Sequence, residues 1–250
     1  MDETTADKMT AAGVQPTVRD LTGVQAAAYV LLLACAALPV ALGLTPDETF
    51  SPGVLIPVAC ALALVLAFHA MWPFRGIPGL GWFSRLFSAL IGVVSVAAGW
   101  HVLVVGDRYV TYRSASVLWG CLFGILMTVL VIVGFGRQML RRDRSHLIVT
   151  LSRCIISGVC SAAAGGWCFL PMLLLEAGRA ELRGLGWQYA LVALAVLVLV
   201  LCIGAIGVLW RGDAELVAPR SWIGLALMPV MLSGMPVYLG ALGLMFPLNW

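Results

Sequence analysis

Three histidines, His69, His101 and His146, are the side chains of this sequence whose ordinary titration lies near neutral pH. Their chemistry depends on what can face them. A haem held between helices needs two axial ligands on one iron. His69 stands near one end of its apolar run and His101 near the opposite end of the next. At 1.5 Å per residue their depths differ by roughly 15 Å, so this pair does not share a haem. Each reads as an interfacial histidine, part apolar and part wet.

A serine nucleophile needs a histidine within reach. Ser157-Gly158 and Ser233-Gly234 are present, but neither carries a GxS turn. Intramembrane proteolysis is therefore not expected. His101, Asp47, Glu48, Asp107 and Glu176 could gather on one face, yet no HExxH spacing supports a metal. A retinal Schiff base needs a lysine in a late helix, and the one lysine is Lys8. No Gly-rich phosphate loop occurs, so the chain is not itself an ATPase. The sequence calls for no cofactor, no metal and no nucleic acid, and catalysis is not the favoured expectation.

The elements that would carry these residues are apolar. The hydrophobic share is 62%, the charged share 11% and the mean hydropathy +1.01. Soluble domains hold about 25% charged residues, so this surface calls for lipid. Seven apolar runs are long enough to cross a bilayer: Val24–Leu44, Val54–Trp72, Leu86–Val105, Val117–Phe135, Cys154–Leu175, Trp187–Trp210 and Trp222–Phe246. They are too long and too evenly apolar for barrel strands. The expected fold is an all-α, polytopic bundle of about seven transmembrane helices. Residues 1–22 read as a polar, disordered tail, and 23–250 as one membrane domain. The acidic start and the long first run argue against a cleaved signal.

No run contains Asp, Glu or Lys. Proton- or ion-coupled carriers usually place such groups at mid-bilayer, so autonomous coupling is disfavoured. Ser88, Ser95, Thr128, Ser157, Ser161 and Ser233 remain, and a path lined by hydroxyls and carbonyls stays open. Pro229 and Pro236 predict a kink in the seventh run, or a re-entrant pair. Trp72, Trp82, Trp187, Trp210, Trp222 and Trp250 flank the runs, and Trp100 and Trp119 lie near ends, as headgroup-seeking indoles do. Trp167 is the exception, near the middle of the fifth run. It either packs inside the bundle or marks a misplaced boundary.

Lysines and arginines divide eleven to four between alternate sides, which places the N-terminus inside and the C-terminus outside. Five of the eleven lie in 137–153. Arg137, Arg141 and Arg144 share a helical face, with Arg142 beside them. Met139, Leu140, Leu147, Ile148 and Leu151 supply an apolar face, so a short interfacial helix is expected. Its arginines fix topology, bind anionic lipid headgroups or dock a partner subunit.

In the fifth run Gly158, Ala162 and Gly166 form a four-residue stripe for close helix packing. The seven cysteines lie in or beside apolar runs without a CxxC pair, and read as packing residues. Gly79-Leu-Gly-Trp82 and Gly184-Leu-Gly-Trp187 echo each other three helices apart. An inverted repeat would fit this echo, and coincidence at a helix start fits it too. The favoured function is a small transport-type, permease-like protein or the membrane subunit of a complex. The alternative is a non-catalytic structural or assembly factor, and the third reading is an interfacial enzyme on lipid-linked substrates. Abundant arginine, alanine and glycine suggest a bacterial plasma membrane.

Overall fold

The structure, a computed structural model, describes residues 17–43, 52–74, 81–105, 112–140, 147–182, 184–209 and 221–245. It is helical, with no strand among the described residues. In chain order the helices are α1 (Val18–Ala41), α2 (Pro52–Ala70), α3 (Trp82–Val105), α4 (Tyr112–Met139) and α5 (Leu147–Ala163). A 3-10 segment (Ala164–Phe169) follows, then α6 (Leu170–Leu182), α7 (Gly186–Leu209), α8 (Ser221–Leu232) and α9 (Gly234–Met245). They make seven spans long and apolar enough to cross a membrane. The fifth span joins α5, the 3-10 segment and α6. The seventh joins α8 and α9.

The first helix begins inside the stretch that reads as polar tail. Thr17 is its cap: the Thr17 hydroxyl accepts from the Asp20 N–H at 3.2 Å, and the Asp20 carboxylate accepts from the Thr17 N–H at 2.8 Å. Two otherwise orphaned donors are satisfied reciprocally. Leu21 and Gln25, one and two turns in, are already buried. The helix ends at Gly43, whose φ of 67° suits a residue without Cβ.

Two spans are interrupted, and proline accounts for both. Pro171 has no N–H, and its ring crowds the carbonyl four residues back, at Trp167. The preceding turns tighten to 3-10, with the Leu170 N–H bonded to the Trp167 carbonyl. Pro236 acts alike on Leu232, and the helix breaks at Ser233. The break is a kink within one span: the Ser233 N–H bonds the Pro229 carbonyl, and the Val237 N–H bonds the Ser233 carbonyl. Hydrogen bonding thus carries through, unlike a re-entrant pair.

The interrupted spans occupy the centre. The 3-10 segment packs against α2, α3 and α9, while α8 packs against α1, α2, α5 and α7. In the sixth span, α7, side chains such as Leu191, Leu194 and Leu201 point away from the protein. Helices differ this way when some face lipid and others face protein.

Three expectations change here. Trp72 and Trp119 are buried in the bundle, not set at headgroups. Trp72 packs with Phe68, His69 and Phe74. Trp119 packs with Phe169 and Tyr238, and donates to the Ser95 carbonyl at 3.0 Å. Ring position along a span sets depth, but helix face decides burial. Secondly, no separate interfacial helix forms from the described part of 137–153. Residues 137–139 end α4 and 147–153 begin α5. Their apolar residues continue the neighbouring spans. Thirdly, Trp167 settles its own question: it is buried, with its indole N–H on the Val230 carbonyl at 2.8 Å.

Candidate functional site

The fifth and seventh spans cross at their two interruptions. Gly166 and Gly234 sit face to face. A Cβ on Gly166 would strike the Gly234 carbonyl, and a Cβ on Gly234 would strike the Ala163 carbonyl. The two backbones therefore touch, an approach only glycine permits. Beside this contact Trp167 ties the fifth span to the seventh through Val230. The Ser233 hydroxyl donates to the Pro229 carbonyl at 2.8 Å, so the Tyr29 hydroxyl, 2.8 Å away, donates to Ser233. Tyr29 also packs on Trp167, ring centroids 6.1 Å apart. Three spans are thus joined at the two breaks.

A second seam runs along α3. Ser88, Gly92, Ser95 and Gly99 recur at four, three and four residues, all buried. This spacing keeps them on one helical face. A Cβ on Gly92 would crowd Val65 and Ser161, and one on Gly99 would crowd Cys168 and the Gly165 carbonyl. The Ser95 hydroxyl donates to the Ala162 carbonyl at 2.6 Å. The Ser161 hydroxyl is buried with no hydrogen-bond partner among the described residues, as is the Trp100 indole N–H. The Tyr238 hydroxyl donates to the Ser116 carbonyl at 2.9 Å.

The stripe of the fifth span meets several neighbours within the chain. A Cβ on Gly158 would press on Leu130 of α4, Ala162 packs with Ile91 and Leu130, and Gly166 meets Gly234. The 3-10 segment begins between Ala162 and Gly166, so the last member faces another helix. Arg137 is exposed along its stem, with its guanidinium 4.0 Å over the Phe83 ring. Arg141, Arg142, Arg144 and His146 lie outside the described residues.

Among the sequence's histidines, His101 is exposed and His69 is not. His69 is 6% exposed and belongs to the protein interior, not to a wet interface. Its Nδ1 lies 2.8 Å from the Val65 carbonyl and its Nε2 lies 2.9 Å from the Ser88 hydroxyl. Trp72 stacks on the ring with centroids 5.5 Å apart. His69 reaches Ser88 because they sit at the same end of adjacent antiparallel helices. Among the described residues no three His, Cys, Asp or Glu side chains gather as a metal set.

Sequence reading missed the α3 seam and the His69–Ser88 pair. The small residues at 88, 92, 95 and 99 carried a usable signal, since their spacing marks one face. Comparison with family models, with curated proteins and with solved structures gave no match. The arrangement therefore has to be judged on its own geometry.

Proposed function

We propose that the protein is a transport-type, permease-like membrane protein whose working element is the crossing of the fifth and seventh spans. The observation that carries this reading is the pairing of two helix breaks in backbone contact inside the bundle. Interrupted spans bring backbone carbonyls and hydroxyls together inside a bundle, as transport proteins do around their binding groups. Here those groups are Ser233, Tyr29, Ser95, Ser161 and the carbonyls beside them. Orientation with the N-terminus inside follows from the charge bias, and the cytoplasmic arginines, Arg137, Arg141, Arg142 and Arg144 among them, would rest on anionic headgroups of a bacterial plasma membrane.

A second reading, a non-catalytic structural or assembly factor, draws on a specific observation too. Several donors at the crossing are already bonded to protein, and the glycine contacts close the space between backbones. The two readings differ in whether water ever reaches the crossing. Cys160 and Cys168 are fully buried beside it and serve as native probes. A small, water-soluble methanethiosulfonate reagent applied to intact membranes, with modified sites found by mass spectrometry, separates the readings. Modification of Cys168 or Cys160 in the folded protein is the expected result. Both thiols staying unmodified until denaturation would favour the structural factor.

A further inference from the structure

A carbonyl oxygen only accepts hydrogen bonds, so the contact between His69 Nδ1 and the Val65 carbonyl requires a hydrogen on Nδ1. The neutral ring is then the Nδ1–H tautomer, and its Nε2 lone pair faces the Ser88 hydroxyl. Ser88 has a second acceptor in reach, the Arg85 carbonyl at 3.2 Å. When a proton binds Nε2, the Ser88 hydroxyl hydrogen turns to that carbonyl, and Oγ accepts from Nε2–H. Both charge states keep a partner on each ring nitrogen by rotation of one hydroxyl, and only the protonated state adds the bond to the Arg85 carbonyl. A histidine that only packs needs partners for one state.

The surroundings suit a proton more than a larger ligand. Ser88 is wholly buried, and the rings of Trp72 and Phe68 cover the imidazole. His69 is the penultimate residue of α2. Among the described residues the charged groups of this end are Arg85, Arg137 over Phe83, Arg153 over Phe74, and Arg19 and Asp20 in the first turn of α1, Asp20 bonded to Thr17. We propose that His69 and Ser88 form a proton-binding site on the α2–α3 seam, and that proton binding there is coupled to transport. The coupling rests on the transport reading above. The site itself rests on the geometry alone.

The test uses the full chain in lipid nanodiscs with 15N,13C-labelled histidine. A His101→Gln, His146→Gln background leaves one imidazole signal. Neutral His69 should show the Nδ1–H tautomer, and it should protonate reversibly on acidification while the protein stays folded. Ser88→Ala should move the midpoint, Ser88→Thr should restore it, and Cys202→Ala, on the exposed face of the sixth span, should leave it unchanged. An Nε2–H tautomer, or no protonation before the protein unfolds in acid, overturns the site. In liposomes with an imposed pH gradient, wild type should move protons and His69→Gln should not. A titrating His69 with no proton movement overturns the coupling, while the transport reading stands or falls separately on the thiol experiment.

Discussion

The sixth span and the crossing of the fifth and seventh are built from similar residue types and do opposite things with them. In the sixth span 11% of the apolar stretch is buried, and in the seventh 78%. Gly204, in the sixth, has no atom within 4 Å of where its Cβ would sit. Gly234, in the seventh, has a carbonyl there. In a bilayer, leucine gains little by leaving lipid, so helices associate by close fit. The regular sixth span leaves a broad leucine surface exposed. The broken spans offer backbone to backbone, and hold together by fit and by hydrogen bonds.

That contrast breaks most sharply at glycine. Gly234→Ala and Gly166→Ala force a methyl into a carbonyl and should destabilise by about 1–3 kcal/mol or more. Gly204→Ala should have the opposite sign and stabilise by about 0.5–1 kcal/mol, because glycine weakens a helix interior. Melting in one detergent checks both. A shared sign would mean that the crossing is no tighter than the lipid face.

The next effect uses matched volume. Ala162 is fully buried between α3 and α4, whereas Ala195 of the sixth span is exposed. Ala162→Leu should cost about 1–3 kcal/mol by overpacking, and Ala195→Leu should stay within about 0.5 kcal/mol. Equal melting curves would place the Ala162 face in lipid. A smaller loss is expected for Trp167→Phe, about 1 kcal/mol, because the buried Val230 carbonyl loses its indole donor.

The smallest effects separate two buried serines. Ser95→Ala removes the 2.6 Å bond to Ala162 and should cost about 0.6 kcal/mol, the usual scale inside membranes. Ser161→Ala removes a hydroxyl without a partner among the described residues and should be neutral or stabilising. A loss at Ser161 as large as that at Ser95 would mean that Ser161 holds a water or a ligand.

The number and order of the spans were legible, since long apolar runs carry their own evidence. Boundaries were less so. Thr17-Val-Arg-Asp20 is a capping signal, and it starts the first helix six residues before its apolar run. Pro236 signalled the kink in the seventh span, and sequence reading missed the same signal at Pro171 in the fifth. What the sequence hides is which break meets which. No periodicity says that Gly166 opposes Gly234, or that His69 reaches Ser88. Tryptophan misled at Trp72 and Trp119 because depth along a span does not tell which side faces lipid. The arginine cluster stays an expectation, with three of its four members outside the described residues.

The central claim is that the crossing is the place where this bundle opens. The most direct measurement is the modification rate of Cys168 by a small water-soluble thiol reagent in wild type, Gly234→Ala and Gly204→Ala, in membranes. A methyl at Gly234 should part the fifth and seventh spans and raise the rate above wild type, while Gly204→Ala leaves it unchanged. One common rate for all three proteins would contradict the account.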